Sequence, residues 1–319
     1  MHAAVVSSFD RPPQYTTFAD PTPSGPHEIV VDVLASGLHP RVRSQSAGSH
    51  YASIDELPLV PGIDGVGRTA TGELRYFVLD DTTMGAMAER TVIDVRRSIA
   101  LVPDADPLAI AAAMNPAMSS WAALRRRIDF RPGQSVLVLG ATGSAGQLAV
   151  QVAKHLGASR VVGAGRDAAR LETLSDLGAD AAVSLVGTPD EIAERLASEA
   201  ADVDVVLDYV WGSATASAMT AIVMGRTDRG RPLSWIEIGS LGGLTAEIPS
   251  AALRAAHLQL VGSGQGSVST ADIVAELPAL AAEITKGTFA LTVRAVPLSD
   301  VEAAWLDAER GDERVVITP

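Results

Sequence analysis

One segment constrains this chain more than any other: Ser135-Val-Leu-Val-Leu-Gly140-Ala-Thr-Gly143-Ser-Ala-Gly146. An apolar run of strand length ends in a glycine-punctuated turn, and Gly146-Gln-Leu-Ala-Val-Gln-Val-Ala then reads as helix. Strand, glycine turn and helix in that order suit a dinucleotide. At Gly140, Gly143 and Gly146 the backbone can approach a pyrophosphate closely, and the helix N-terminus offers it N–H groups. The turn lies near residue 140, so a stretch of domain size precedes it.

That stretch, to about residue 105, is β-rich. Ala3-Ala-Val-Val-Ser, Ile29-Val-Val-Asp-Val-Leu, Gly65-Val-Gly-Arg-Thr, Arg75-Tyr-Phe-Val-Leu and Ser98-Ile-Ala-Leu-Val are short apolar segments set between Pro/Gly turns. Such spacing predicts a small barrel or sandwich. From Asp106 the period changes. Pro107-Leu-Ala-Ile-Ala-Ala-Ala-Met and Ser119-Ser-Trp-Ala-Ala-Leu-Arg-Arg-Arg each read as a helix. After the glycine turn, strands and helices alternate. Arg160-Val-Val-Gly is a strand, and Asp167 to Leu177 a helix with Leu171, Leu174 and Leu177 on one face, stopped by Gly178. Thr188-Pro-Asp-Glu191 is a capping box that opens a helix to about Ala200. Val203-Asp-Val-Val-Leu-Asp208, Ser234-Trp-Ile-Glu-Ile and Leu258-Gln-Leu-Val-Gly are further strands. This alternation predicts a parallel, doubly wound sheet. The tail adds a helix near 271–286, a strand near 291–296, a helix capped by Ser299-Asp-Val-Glu302, and the strand Arg314-Val-Val-Ile-Thr. Met224-Gly-Arg-Thr-Asp-Arg-Gly-Arg-Pro-Leu233 reads as an exposed polar loop.

Composition narrows the chemistry. The 319 residues suffice for two domains, and a net charge of −13 argues against a nucleic-acid surface. There is no cysteine, so disulfides, cysteine nucleophiles and cysteine-ligated zinc all drop out. The first residues lack a signal-peptide pattern and no apolar run reaches membrane-spanning length, so a cytoplasmic chain with no membrane partner is expected.

The second strand of a dinucleotide fold commonly ends in an acid that holds the adenosine ribose hydroxyls. Here Val161-Val-Gly163 runs into Ala164-Gly165-Arg166, with Asp167 one residue beyond. A guanidinium at Arg166, with Arg170 one helical turn on, suits a 2′-phosphate and favours NADPH over NADH.

Taken together, these segments resemble the zinc-independent medium-chain dehydrogenase/reductase superfamily, near the quinone oxidoreductases and enoyl reductases. The likeness rests on Ala35-Ser-Gly-Leu-His-Pro40 with Gly48-Ser-His-Tyr51, Leu57 to Gly67, Gly85-Ala-Met-Ala-Glu89, Pro116 to Leu124 followed by Arg131-Pro-Gly, and Val203 to Asp208 with Ile238-Gly239-Ser240. They span nearly the whole chain in the family's order. The resemblance implies a GroES-like β-rich catalytic domain, residues 1–118 completed by 263–319, and a Rossmann NADP-binding domain over 119–262. It implies cofactor contacts at Ser119, Thr142, Ser144, Ala145, Arg166, Val210, Gly239 and Ser240, and a homodimer. Two departures stand out. Gly62-Ile63-Asp64 replaces the Gly-His-Glu of the zinc branch, and His39 stands where quinone and enoyl reductases usually carry asparagine.

Metal-free reduction of a carbonyl or enone needs hydrogen bonds to polarise the acceptor and a source of a proton. Tyr51 is the leading donor, because a phenol can donate near neutral pH, and His39 is the second candidate. Water or the nicotinamide ribose hydroxyl is the alternative. The expected function is NADPH-dependent hydride transfer to a small-molecule quinone or activated enone. A zinc-free carbonyl or alcohol oxidoreductase, and a non-catalytic NADPH-binding protein, remain as other readings.

Overall fold

The computed structural model describes residues 1–307 and 313–319. In chain order the elements begin with β1 (His2–Val5), β2 (Gln14–Thr17), β3 (Glu28–Gly37), α1 (Pro40–Ser46), β4 (Asp64–Thr69), β5 (Leu74–Val78), β6 (Arg90–Asp94), β7 (Ser98–Ala100) and α2 (Pro107–Ala122). Next come β8 (Ser135–Leu139), α3 (Ser144–His155), β9 (Arg160–Gly165), α4 (Ala168–Glu172), β10 (Ala181–Ser184), α5 (Pro189–Ala200), β11 (Val205–Asp208), α6 (Gly212–Gly225), β12 (Leu233–Glu237), α7 (Ser250–Arg254) and β13 (Leu258–Gly262). The tail supplies α8 (Thr270–Thr285), β14 (Val293–Pro297), α9 (Val301–Asp307) and β15 (Arg314–Thr318). Two compact units result, one of residues 1–115 with 273–319 and one of residues 116–272. None of the described helices is long and apolar enough to cross a membrane.

The central unit is the doubly wound sheet that the strand–helix alternation predicts. Its six parallel strands run β10-β9-β8-β11-β12-β13, so the winding reverses between β8 and β11. Strands flanked by helices on both faces read as near-continuous apolar runs, and four of the five residues of β8 and all of β11, its terminal Asp208 included, are buried. Leu137, Leu139, Val162, Val206, Met219, Ile222 and Trp235 pack into one core. The capping box forms as the sequence predicts: Thr188 accepts from the Glu191 N–H, and the Glu191 side chain accepts from the Thr188 N–H at 2.8 Å.

The other unit holds a seven-stranded sheet ordered β14-β15-β3-β4-β5-β7, with β6 also paired to β3. The tail therefore completes the β-rich unit: β15 pairs antiparallel with the end of β3, bringing Val316 opposite Gly37. Val31, Val33, Phe77 and Ile93 fill one core, and Val42, Met87, Val301 and Trp305 another.

Four local expectations are corrected. Residues 107–122 form one helix with Pro116 inside it, not two helices. Proline offers no N–H to the carbonyl four residues back; here that carbonyl, of Ala112, accepts from Arg314 Nε at 3.4 Å instead. The helix expected over 167–177 is only α4 followed by a 3₁₀ turn over Thr173–Ser175. Leu171 and Leu174 are buried, whereas Leu177 is only half-buried. Ser299 does not cap α9; it lies inside a 3₁₀ turn over Leu298–Asp300. The 224–233 loop is not wholly exposed. Arg226 is buried and donates to the carbonyls of Ala201 and Val203 at 2.9 and 2.8 Å.

Candidate active site

In the central unit, the carboxyl ends of β8, β9, β11 and β12 assemble one set of predicted residues. Gly140 closes β8 at φ +86°. A β-carbon at Gly146 would overlap the Gly140 carbonyl oxygen, so only glycine lets α3 start against the turn. Gly143 is the N-cap of α3, and no side chain caps that end. The N–H groups of Ser144, Ala145 and Gly146 therefore begin an uncapped twelve-residue helix at the sheet's switch point, an arrangement suited to an anion. At the end of β9, a β-carbon on Gly165 would stand 2.5 Å from Thr142 Cγ2, so glycine there lets the two turns meet.

The two arginines beyond β9 differ. Arg170 donates to the Thr142 carbonyl at 3.2 Å and lies 3.6 Å from Asp167, which caps its backbone N–H at 3.1 Å. Its guanidinium braces the glycine turn. Arg166 is exposed and pairs with no described residue, leaving its donors available to a ligand phosphate.

The turn after β11 is held by a buried carboxylate. Asp208 accepts from the N–H groups of Val210 and Trp211 at 2.9 and 3.0 Å, from Thr215 Oγ1 at 2.7 Å and from Trp235 Nε1 at 2.9 Å. These bonds hold Trp211 at φ +54°, a conformation non-glycine residues rarely adopt. Tyr209 packs beside Gly140 and Gly239. Burial pushes its phenol up to about 12. Ser119 spends its proton on the Pro116 carbonyl at 2.7 Å, so Tyr209 donates to Ser119 at 2.8 Å. Val210 and Gly239 are half-buried at this end of the sheet, and Ser240 is exposed.

In the β-rich unit, the two proton-donor candidates fare differently. Tyr51 lies on the surface after α1, 74% exposed, with its ring 4.1 Å from that of His50. His39, the N-cap of α1, is only 3% exposed. Its Nε2 lies 3.0 Å from Asp64 Oδ1, and Tyr76, also buried, donates to Asp64 Oδ2 at 2.9 Å. Ser36 donates to the Asp64 carbonyl at 3.0 Å and fixes the start of β4. Burial holds the His39 imidazole below its ordinary range; Asp64 opposes this, and Arg314 and Arg41 reinforce it. Burial, with the Asp64 charge and hydrogen bond, pushes the Tyr76 phenol well above its usual value. Sequence reasoning did not single out Asp64, Tyr76, Arg314 or Asp208 for the site. A signal existed: Asp64 and Arg314 are charges inside short segments that otherwise read as buried strand.

A protein-family model described as zinc-binding dehydrogenase matches residues 145–277. A probable NADPH-dependent quinone reductase of Emericella nidulans is 32% identical over 361 aligned positions, covering all of both chains. A 2-methylene-furan-3-one reductase of Solanum lycopersicum is 31% identical over 172 positions, covering 49% of this chain and 44% of the relative. Among solved structures, the quinone oxidoreductase of Thermus thermophilus, also studied with NADPH, superposes with a TM-score of 0.82 at 24% identity over all of both chains. That likeness establishes the fold.

The donors present do not fit the zinc of the family description. The sequence has no cysteine, His39 and Asp64 are engaged with each other, and the described residues hold no cluster of three or more metal-ligating side chains.

The His39 shift has a sign that stability measurements can read. A histidine whose folded pKa is depressed stabilises the fold above the unfolded value near 6.5, and that contribution fades as pH falls. His50, held down to about 4 by burial and Arg41, acts in the same direction. Urea unfolding should give lower stability at pH 5 than at pH 7, and His39→Gln should shrink the difference. Equal pH dependence in the two proteins would refute the assignment.

Proposed function

This chain belongs to the medium-chain dehydrogenase/reductase family, and from that premise we propose that it is an NADPH-dependent oxidoreductase passing hydride to a quinone or to the carbon–carbon double bond of an enone. The observation that carries the cofactor half is Arg166, an exposed guanidinium with no protein partner among the described residues at the end of β9, beside an uncapped helix N-terminus. The acceptor half is supported by the relatives, which are named for quinone and furanone reduction.

When bound, the nicotinamide supplies the hydride. The chain's own residues bind and orient. Gly140, Gly143 and Gly146 admit the pyrophosphate to the N–H groups of Ser144 and Ala145, while Arg166 takes the 2′-phosphate. Thr142, braced by Arg170 and fitted against Gly165, shapes the turn between them. Ser119, Val210, Gly239 and Ser240 line the nicotinamide end. His39 and Tyr51 are the side chains proposed to face the reacting groups, and the metal-free donor set leaves polarisation of the acceptor to hydrogen bonds.

We also propose a homodimer paired through β13. This strand forms one edge of the parallel sheet, and Leu260 on it is 36% exposed, as are Leu241 and Leu244 nearby in sequence at 81% and 87%. Light scattering should give the mass of two chains, and Leu260→Lys should lower it; a wild-type monomer at micromolar concentration would end that proposal.

Steady-state kinetics with both nucleotides test the phosphate site. Arg166→Glu should raise the KM for NADPH by about tenfold or more, the weight of one charge-assisted contact, and change that for NADH little. Equal small effects on both nucleotides would remove Arg166 from the site.

A further inference from the structure

The buried polar set around His39 determines which of its ring nitrogens carries the proton. Asp64 lies at 0% exposure on β4, with Oδ1 facing His39 Nε2 at 3.0 Å and Oδ2 accepting from Tyr76 at 2.9 Å. The raised Tyr76 phenol stays protonated at neutral pH and acts only as a donor toward Asp64. Both carboxylate oxygens thus accept.

Arg314 completes the set from the C-terminal strand. Val316 lies opposite Gly37, and the Leu38 N–H donates to the Val315 carbonyl at 2.9 Å. Continued by two residues on each chain, that antiparallel register sets Arg314 across from His39. Arg314 is 6% exposed, and burial lowers its pKa to about 10 against the pull of Asp64, so it remains charged. Its Nε uses the Ala112 carbonyl, while its Nη2 is buried without a partner among the described residues.

The charged groups facing His39 are Asp64 from β4, Arg314 from β15 and Arg41 from α1, with Tyr76 of β5 behind Asp64. Arg41 is itself ion-paired with Asp81. A protonated imidazole here would add a cation beside Arg314 in a largely buried site, whereas the neutral ring leaves Asp64 and Arg314 as a balanced pair. A neutral imidazole has one ring proton, and an acceptor-only neighbour at Nε2 requires it there.

We propose that Asp64, Tyr76 and Arg314 are positioning residues that fix His39 as the tautomer protonated on Nε2, so that it meets the reacting groups through Nδ1 as a hydrogen-bond acceptor. Nδ1 has no hydrogen-bond partner among the described residues. His39 then orients an N–H or O–H donor of the substrate, and the proton consumed in reduction comes from another group. The inference rests on the reading that His39 belongs to the reacting site, and it answers for that residue which side of a proton exchange it takes.

Nitrogen-15 NMR of histidine-labelled protein, with the His39 signals assigned by comparison with His39→Gln, tests the tautomer directly. The wild-type ring should show a protonated Nε2 and an unprotonated Nδ1, both unchanged between pH 6 and pH 8. Tyr76→Phe should keep that pattern, because Asp64 still accepts. Asp64→Asn, which can present a donor, should move the proton to Nδ1 and lower kcat with NADPH and 1,4-benzoquinone by about tenfold or more while the KM for NADPH changes less than about twofold. A wild-type His39 protonated on Nδ1, or one that becomes imidazolium within that range, would overturn the proposal, and the wild-type spectrum decides this even if Asp64→Asn fails to fold. A correct tautomer with undiminished turnover in His39→Gln would instead overturn the placement of His39 at the reacting site, leaving the assignment of the ring proton intact.

Discussion

The central unit depends on one close approach, that of the first turn of α3 to the Gly140 carbonyl. No side chain fits at Gly146, and this lets the helix begin directly above the end of β8. Several features follow from that contact. The uncapped N–H groups of α3 point out from the place where the sheet's winding reverses. Thr142 reaches Gly165 and so ties the turn to the end of β9, where Arg170 braces it from the far side. Of these two arginines, Arg166 is the one with no partner among the described residues. This arrangement of donors and positive charge suits a phosphate-bearing ligand.

The β-rich unit relies on a different constraint, a carboxylate buried at the start of β4. Burying an unpaired carboxylate costs several kcal/mol, so Asp64 must be surrounded by donors or cations. Tyr76, His39 and Arg314 come from three other strands or strand ends to meet that need, and β15 contributes only because the chain returns to this sheet after leaving it. The last strand, paired with β14 on one side and β3 on the other, is therefore both an internal member of the sheet and a supplier of charge. Pro116 takes part at a distance: the carbonyl it cannot satisfy in α2 becomes the acceptor for Arg314.

Much of this was legible in the sequence because it is local. The glycine turn, the strand–helix alternation and the Thr188 capping box each depend on residues a few positions apart, and each forms as expected. The fused α2 was not legible, since proline reads as a break unless a partner for the freed carbonyl is known, and that partner lies some 200 residues away in the chain. The same reason hid the roles of Asp64, Tyr76 and Arg314, whose meeting depends on strand register. The sequence ranks Tyr51 ahead of His39 as proton donor, and burial, which sequence does not show, separates an exposed phenol from a 3% exposed imidazole. The sequence places both Arg166 and Arg170 near a phosphate, and only the three-dimensional contact shows that Arg170 bonds to the Thr142 carbonyl.

Hydride transfer from NADPH to an organic acceptor can be read from the product. Reduction of an α,β-unsaturated ketone should be run with NADPH carrying deuterium on one or the other face of C4. One of the two labelled nucleotides should place deuterium on the β-carbon of the saturated ketone, and the other should give unlabelled product. NADPH oxidation by the enone with no deuterium in product from either nucleotide, or no oxidation by any enone or quinone tested, would contradict the assigned function.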